Sequence, residues 1–212
     1  NGRSSARSLS DVVVEICERS GVSDVDVSDL YGMVRGYTVG EISGARSALQ
    51  PLMLAFGFEA IERDGLLTFR SRDGKSKAEV HKDALAINSD TEGTLELTRS
   101  PDAETAGRVR LTFVDADADF GTRAEEAIFP DEQSRLVSHS EFPLALTRTE
   151  GRQIVERWLA EARIARDSAR FALPPSRYDL GAGDVIELDG EAGKTRYRID
   201  HATLGATRAV EA

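Results

Sequence analysis

The dipeptide Asp64-Gly65 lies between two short runs of alternating apolar and polar residues, and it constrains the fold more than any other feature of the sequence. An Asp-Gly loop adopts positive φ at both central positions and is the strongest short-range signal for a β-hairpin. We therefore expect Phe58 to Arg63 to pair with Leu66 to Arg70, which places Glu59 opposite Arg70. The apolar face of this hairpin consists of Phe58, Ala60, Leu67 and Phe69.

Two amphipathic helices are predicted before this hairpin. Ser10 is expected to cap the first helix, Cys17 lies on its apolar side, and Gly21 ends it. The second covers residues 43–56, and Pro51 within it is expected to kink the helix or restart it. The helices and the hairpin together predict a small α/β module at residues 9–73.

The rest of the chain, residues 74–212, is predicted to contain mainly short strands. Apolar and polar residues alternate at 95–97 and again at 109–113, which predicts a second hairpin with one buried face. Further alternating segments favour a partly closed antiparallel barrel or a sandwich. The predicted fold class is thus α+β, in which a helix-plus-hairpin module precedes an antiparallel β-barrel-like module.

One long helix interrupts these strands at about residues 148–167. Thr147 and Glu150 have the spacing of a capping box at its start. Its apolar face includes Trp158, which we expect to be buried. The barrel-like module is therefore predicted to carry one long helix.

The net charge of −10 is concentrated in one segment. Residues 83–132 contain 13 acidic and 4 basic side chains, a balance of −9. Such a segment repels phosphate backbones, so we predict no specific nucleic-acid binding by the free chain. Two interpretations stay open, a solvated acidic face or a surface past which DNA slides without sticking.

The sequence also limits how the chain is stabilised and where it resides. The single cysteine, Cys17, forms neither an internal disulfide nor a Cys-rich metal site. The longest uncharged run, between Arg46 and Glu59, is far shorter than the roughly 20 residues of a membrane span, so no membrane insertion is predicted. The start at Asn1, without Met or a signal-like segment, predicts that the chain is a piece of a longer protein.

Asp115, Asp117 and Asp119 form the pattern most suggestive of a cation site. Alternate carboxylates of this kind converge on calcium in helix-loop-helix sites, and Glu126 falls at the twelfth position. Phe120, however, occupies the sixth position, where that loop needs glycine. We therefore favour a solvated turn between two strands, with cation binding as the alternative.

No residue pattern predicts a catalytic site, a cofactor site or a metal site. The common hydrolase and nucleotide-binding motifs are missing from the sequence. The three histidines are isolated, and adjacent carboxylates do not by themselves set the separation that glycoside hydrolysis requires. The residues considered are His81, His139, His201, Glu125 with Glu126, and Asp131 with Glu132.

Arg148, Arg152, Arg163 and Arg166 fall on one side of the predicted long helix. A row of this kind is used in nucleic-acid grooves. Because the acidic segment 83–132 offers many partners, we expect these arginines to pair within the chain or with a neighbouring subunit.

Several stretches of the first half resemble the tail-tip proteins of gene transfer agents and long-tailed phages, which are known as host-specificity or glycoside hydrolase/phage tail family proteins. The order of elements in the second half is similar to that of tail hub proteins of the late control protein D type. The residues concerned are Leu9 to Gly21, Val34 to Tyr37, Ala45 to Leu52, the Asp-Gly hairpin, Phe171 to Pro175, Leu180 to Leu188 and Tyr197 to Ile199.

This resemblance implies an architectural role. Hub proteins of this type form a ring, usually a homotrimer, which joins the tail tube to the tip around the DNA-delivery channel. The partners implied are the tail tube, distal tail and tip proteins, in a phage-like particle assembled in the bacterial cytoplasm. The glycan-cleaving region of the family would lie elsewhere in the parent protein, so none of its catalytic residues is carried over.

We therefore predict a structural component of a tail tip or baseplate hub that is not an enzyme. Two alternatives remain at this point, a carbohydrate-binding module of a tip protein and a glycan hydrolase domain. The isolated chain is expected to be monomeric or weakly associating, because ring contacts need flanking segments.

Overall fold

The computed structural model describes residues 6–39, 44–63, 65–88, 93–101, 105–130, 136–190, 193–205 and 207–212. Within them the helices are α1 (Leu9–Arg19), α2 (Ala45–Phe56) and α3 (Arg148–Ile164). The strands, numbered in chain order, are β1 (Arg7–Ser8), β2 (Val25–Asp29), β3 (Met33–Val34), β4 (Phe58–Arg63), β5 (Leu66–Ser71), β6 (Ala78–His81), β7 (Leu95–Arg99), β8 (Arg108–Asp115), β9 (Thr122–Ile128), β10 (Val137–Leu146), β11 (Asp167–Leu173), β12 (Val185–Gly190), β13 (Gly193–Arg198), β14 (His201–Leu204) and β15 (Arg208–Glu211).

The chain divides into two compact units, and each is discontinuous in sequence. The first unit comprises Asn1–Arg72 and Asp102–Ile164, and the second comprises Asp73–Pro101 and Ala165–Ala212. The border at residue 72 lies next to the end of the predicted module 9–73. Residues 102–164 pack with the first unit, whereas the sequence prediction assigned them to a module at 74–212. The module bounds 9–73 and 74–212 stay a prediction.

The first unit contains the predicted hairpin. β4 and β5 are antiparallel, with Glu59 opposite Arg70 as expected, and β2 adds to β5 as a parallel neighbour. Gly65 has a φ of 77°, which the turn requires, while Asp64 lies outside the described residues. Phe58 and Phe69 are fully buried, and their rings meet edge to face at 6.0 Å. The apolar face thus anchors the hairpin in the core.

The two N-terminal helices differ from the prediction at their ends. Ser8, not Ser10, is the N-cap of α1, because its hydroxyl accepts a hydrogen bond from the Asp11 N–H at 3.1 Å. α2 runs through Pro51 without interruption, so the predicted restart is wrong. Gly57 ends α2 in the left-handed conformation with a φ of 69°. Residue 43, where α2 was expected to begin, lies outside the described residues.

A second sheet of the first unit supports α3. β8 lies in its centre, antiparallel to β9 and parallel to β10. The inward residues of β8 alternate along the strand and are buried against the inner face of α3. Those residues are Val109, Leu111 and Phe113 from β8, with Ile154, Val155 and Leu159 from α3.

The second unit consists of two open sheets with a separate core. Their strand orders are β14-β15-β11-β7 and β13-β12-β6. Phe171, Leu180, Ile186 and Ile199 are among its fully buried side chains. α3 ends at Ile164 instead of residue 167, because Asp167 already pairs with Arg99 as part of β11.

The α+β class is confirmed, but the detailed architecture of residues 74–212 differs from the prediction. The expected second hairpin is wrong, since β7 pairs with β11 whereas β8 pairs with β9 and β10. The described strands of residues 74–212 form separate open sheets and no closed barrel, and two of their pairings, β8 with β10 and β6 with β12, are parallel. Alternation marks a buried face but leaves the choice of partner strand open. None of the described helices combines the length and the apolar character that a membrane crossing needs.

Candidate interaction surface

The start of α3 is held by the predicted capping box, which the structure confirms. The Thr147 N–H donates to Glu150 Oε2 at 2.8 Å, and the Glu150 N–H donates to Thr147 Oγ1 at 3.2 Å. Arg35 adds a guanidinium hydrogen bond to Glu150 Oε1 at 3.1 Å. Two free N–H groups at the helix start are thereby satisfied, and one ion pair joins α3 to the segment after β3.

The electrostatics of Glu150 follow from these contacts. Partial burial on its own would raise the pKa of this carboxyl group. The hydrogen bonds from Thr147 and Arg35 outweigh the burial, so the pKa of Glu150 is lowered from its ordinary value of 4.5. Glu150 is therefore an ionised anchor at neutral pH.

The inner side of α3 binds the end of α2. Arg157 Nη2 donates to the carbonyl oxygens of Leu54 and Ala55 at 2.6 and 2.9 Å. Trp158 Nε1 donates to the Leu54 oxygen at 3.1 Å, and the indole ring packs edge to face on Phe142 at 5.3 Å. The expected burial of Trp158 is confirmed in part, because its side chain is half-buried.

α3 and β9 border an open groove of about 350 Å³. Its carboxylates have guanidinium groups nearby: Arg148 Nε lies 3.0 Å from Glu125 Oε1, and Arg152 Nε lies 2.8 Å from Glu156 Oε1. The arginines of these pairs are exposed, whereas Glu125 is half-buried, so the pairs contribute little to stability wherever water screens them. The lining residues of the groove are Glu125, Glu126, Ala127, Ile128, Arg152, Glu156 and Leu159.

The four arginines predicted to form one row have different partners. Arg148 pairs with Glu125 of the acidic segment, as expected, whereas Arg152 pairs within its own helix. The Arg163 guanidinium stacks on the Phe129 ring at 3.7 Å. Arg166 lies beyond the end of α3 and donates to the Ser100 carbonyl oxygen at 3.2 Å. Intramolecular contacts therefore engage the arginines that a nucleic-acid groove would use.

The three aspartates considered as a cation site lie in the turn between β8 and β9, the arrangement that we favoured. Asp115 is buried and accepts hydrogen bonds from the Arg123 guanidinium and, at 2.9 Å, from the Asp117 N–H. The Asp117 hydrogen bond is the main reason that the pKa of Asp115 is lowered, and Arg123 reinforces it against desolvation. Asp117 and Asp119 are exposed. The oxygens of Asp115 thus bind groups of the protein itself.

Of the two carboxylate pairs considered for glycoside hydrolysis, the structure describes Glu125 with Glu126. Glu125 and Glu126 are consecutive on β9 and lie on opposite faces of the sheet. Arg148 pairs with Glu125, and Arg108 lies 4.0 Å from Glu126. The other pair, Asp131 with Glu132, lies outside the described residues.

The three histidines and the cysteine lie on different elements. His81, His139 and His201 belong to three different sheets. His139 Nε2 lies 3.0 Å from the Thr112 hydroxyl oxygen, and His81 Nδ1 lies 3.5 Å from Asp189 Oδ2. Cys17 is fully buried, as expected, and burial raises the pKa of its thiol, which disfavours the reactive thiolate.

Comparisons with known proteins identify the family of this chain. A family model described as "Putative phage tail protein" matches residues 44–202. The chain belongs to this family. No curated protein sequence matches this phage tail family member.

Solved structures extend the comparison along the whole chain. A chain from "Virion of native gene transfer agent (GTA) particle" is 52% identical, with a TM-score of 0.93, and the match covers 100% of this chain and 48% of that one. The phage tail family member thus spans about half of that relative. The tail protein from Neisseria meningitidis MC58 shares the fold at 10% identity and a TM-score of 0.65, covering 98% of this chain and 67% of that one. The 43 kDa tail protein of prophage MuSo2 from Shewanella oneidensis gives 12% identity and a TM-score of 0.58, with 97% and 64% covered.

The candidate contact residues of this phage tail family member were missed by the sequence analysis. Leu97 of β7 was expected on a buried face, yet its side chain is 61% exposed. At one end of the β10-β8-β9 sheet, Arg108 of β8 pairs with Ile128 of β9 and with Val137 of β10. The side chains of Ile128 and Val137 are both exposed. Alternation identifies such residues as members of an apolar face, but only the folded chain reveals which faces stay uncovered.

Proposed function

We propose that this chain is a structural part of a phage-like tail tip, where it contributes contact surfaces and catalyses no reaction. The observation that carries the proposal is the match to a gene transfer agent virion chain, at 52% identity over the whole of this chain. At that identity, with a TM-score of 0.93, the two chains share a fold. The ion-paired groove beside α3 accords with a structural role, because its carboxylates are engaged by arginines.

The finer assignment is a baseplate hub that joins the tail tube to the tip around the DNA-delivery channel. In this role the chain contacts tail tube, distal tail and tip proteins as a homotrimer within a particle assembled in the bacterial cytoplasm. Functions such as host specificity belong to the longer parent protein, since this chain spans 48% of its gene transfer agent relative. The open sheets support the role, because an edge strand presents unpaired backbone groups to a neighbouring subunit.

Exposed apolar residues on edge strands give the proposal a direct test. β7 is the last strand of its sheet within the described residues, and Leu97 on it is 61% exposed. We expect Leu97→Lys in the full-length parent protein to leave folding intact and to reduce the yield of complete tails, counted by electron microscopy. Thr98→Lys, on the opposite face of the same strand and also exposed, is the matched control.

Deletion of this segment from the parent protein tests the structural role. Cells that lack this segment of the parent protein should release particles without a complete tip. If such particles have complete tails and deliver DNA at the normal frequency, the chain is no part of the tail architecture.

The trimer is tested by mass measurement in solution. We expect the isolated chain to be a monomer or to associate weakly and the full-length parent protein to form the trimer. A stable ring formed by the isolated chain would refute the expectation that ring contacts need flanking segments. One copy of the parent protein in each intact tip would refute the trimer.

The two alternative functions make different predictions. A carbohydrate-binding module would bind oligosaccharides on a glycan array, and a hydrolase domain would convert a polysaccharide. We expect the purified chain to do neither. Saturable glycan binding or turnover would favour the corresponding alternative over a purely structural role.

A further inference from the structure

The outward face of the β13-β12-β6 sheet carries an ordered set of charged side chains. The parallel register of β6 and β12 places His81 opposite Asp189 and Glu79 opposite Glu187. The intervening residues, Val80 and Leu188, are buried in the core of the second unit. Because side chains alternate along a strand, the histidine and the three carboxylates all lie on the outward face.

Three of these side chains lie close enough to share one ion. One ligand atom each from Glu79, His81 and Asp189 can be chosen so that all lie within 4.8 Å of one another. His81 Nδ1 and Asp189 Oδ2 are 3.5 Å apart. One imidazole nitrogen and two carboxylate oxygens make a donor set that zinc and neighbouring divalent transition metals accept, with water completing the coordination. The two carboxylates balance the charge of such an ion.

A cation of the protein already lies beside this set. Lys194 Nζ is 2.5 Å from Glu79 Oε1 and 3.4 Å from Glu187 Oε1. The lysine side chain is 48% exposed, so its flexible stem can move the ammonium group into solvent. The carboxylates thus attract positive charge, and Lys194 would compete with any metal ion for Glu79.

We propose that Glu79, His81 and Asp189 form a binding site for a divalent transition metal of the zinc class, with Lys194 as its internal competitor. The metal ion joins β6 to β12, two strands separated in sequence by the whole inserted segment of the first unit. Binding therefore stabilises the second unit. This site is independent of the proposed tail function, and its test uses the isolated chain.

The test is calorimetric titration of the chain, free of any polyhistidine tag, with zinc chloride in a buffer that does not bind metals. We expect one zinc ion per chain and a higher melting temperature in zinc. His81→Ala should weaken binding at least about tenfold, because losing only a supporting residue of a metal ligand costs about 10- to 100-fold. Lys194→Met should tighten binding by removing the competitor. His201→Ala, which removes an exposed histidine of another sheet in the same unit, should leave binding unchanged.

Several results would overturn the proposal. It fails if the unsubstituted chain binds no zinc, or if His81→Ala and His201→Ala weaken binding equally, which would indicate adventitious binding only. If His81→Ala fails to fold, Asp189→Asn replaces it as the variant that removes a ligand. Unchanged zinc affinity in a folded Asp189→Asn chain would also refute the site. Weaker binding by Lys194→Met would refute the competition.

Discussion

Arg157 is the residue whose contacts best explain how two distant helices fit together. The last carbonyl groups of an α-helix have no partner inside the helix. Arg157 binds two of them at the end of α2, those of Leu54 and Ala55. Burial lowers the pKa of the guanidinium group from its ordinary value, but the group stays charged at any physiological pH. Its hydrogen bonds are therefore charge-assisted and hard to replace.

Arg157→Ala is expected to destabilise the chain by about 1–3 kcal/mol, because the Ala55 carbonyl oxygen loses its guanidinium donor and the Leu54 oxygen keeps only Trp158 Nε1. The measurement is urea unfolding followed by circular dichroism. Arg152→Ala on the same helix is the control, since it removes an exposed pair with Glu156 that is worth about 0.3–0.5 kcal/mol. Equal losses for the two variants would contradict the capping role of Arg157.

At the scale of elements, the packing of α3 on β8 depends on Gly151. A Cβ atom at this position would lie 2.4 Å from Phe113 Cε1 and 2.6 Å from its Cζ. Phe113 is itself 1% exposed and has little room to move. The glycine therefore permits the close approach of helix and strand.

Gly151→Ala is expected to destabilise the chain, although alanine favours helices by about 1 kcal/mol over glycine. Overpacking in a filled core costs about 1–3 kcal/mol and outweighs that gain, which is small in a first helical turn. Thermal unfolding of Gly151→Ala, Phe113→Leu and the double variant measures the effect. The double variant should lose less stability than the sum of the single variants. Additive losses would show that the methyl group and the ring do not collide.

The capping box at the start of α3 predicts a dependence of stability on pH. Because the folded-state pKa of Glu150 is lowered, its ionised form stabilises the fold above pH 4.5, and this contribution is lost as the pH falls through the folded-state value. The stability difference between the unsubstituted chain and Glu150→Gln should be largest near pH 7 and shrink below pH 4.5. Urea unfolding at several pH values measures it.

Gln153→Ala, on the exposed side of the same helix, removes no charge and serves as the control. Its stability difference should not change with pH. A difference for Glu150→Gln that stays constant down to pH 3, well below the ordinary pKa of about 4.5, would contradict the proposed ionised anchor.

At the scale of the whole molecule, the first unit contributes a large insertion to the second. The Ser100 N–H donates to the Arg166 carbonyl oxygen at 2.9 Å, next to the pairing of Arg99 with Asp167. β7 and β11 therefore form the two arms of a hairpin whose connection contains residues 102–164. Ser100 and Arg166, which flank that segment, are hydrogen-bonded to each other, and compact domains tolerate insertions where the flanking residues lie close together.

This topology predicts that the second unit folds without the insertion. Residues 73–101 joined to 165–212 by an Asn-Gly turn should give a cooperative thermal transition, followed by circular dichroism. The continuous segment 74–212 should instead bind the dye ANS and aggregate, because it retains α3 without the α2 residues that cover it. A cooperative fold for 74–212 and none for the joined segments would favour the sequence-based module boundary.

Local patterns in the sequence were enough to predict much of the secondary structure. The Asp-Gly turn determined the pairing of Glu59 with Arg70, and the spacing of Thr147 and Glu150 determined where α3 begins. The resemblance of the chain to phage and gene transfer agent tail proteins was also correct. The turn and the cap depend on residues close together in sequence, so local periodicity and local hydrogen bonds are enough to define them.

Only the tertiary structure decided which strands meet and which segments share a core. Alternation in β7 and β8 was real, yet β7 pairs with β11 and β8 pairs with β9 and β10. Strands pair edge to edge through backbone hydrogen bonds, so the side-chain pattern of one strand does not specify its partner. The discontinuous units, the exposed Leu97 and the cluster of Glu79, His81 and Asp189 all arise from contacts between distant residues. The free energy of such contacts depends on the whole chain, whereas a turn or a cap depends on a few neighbouring residues.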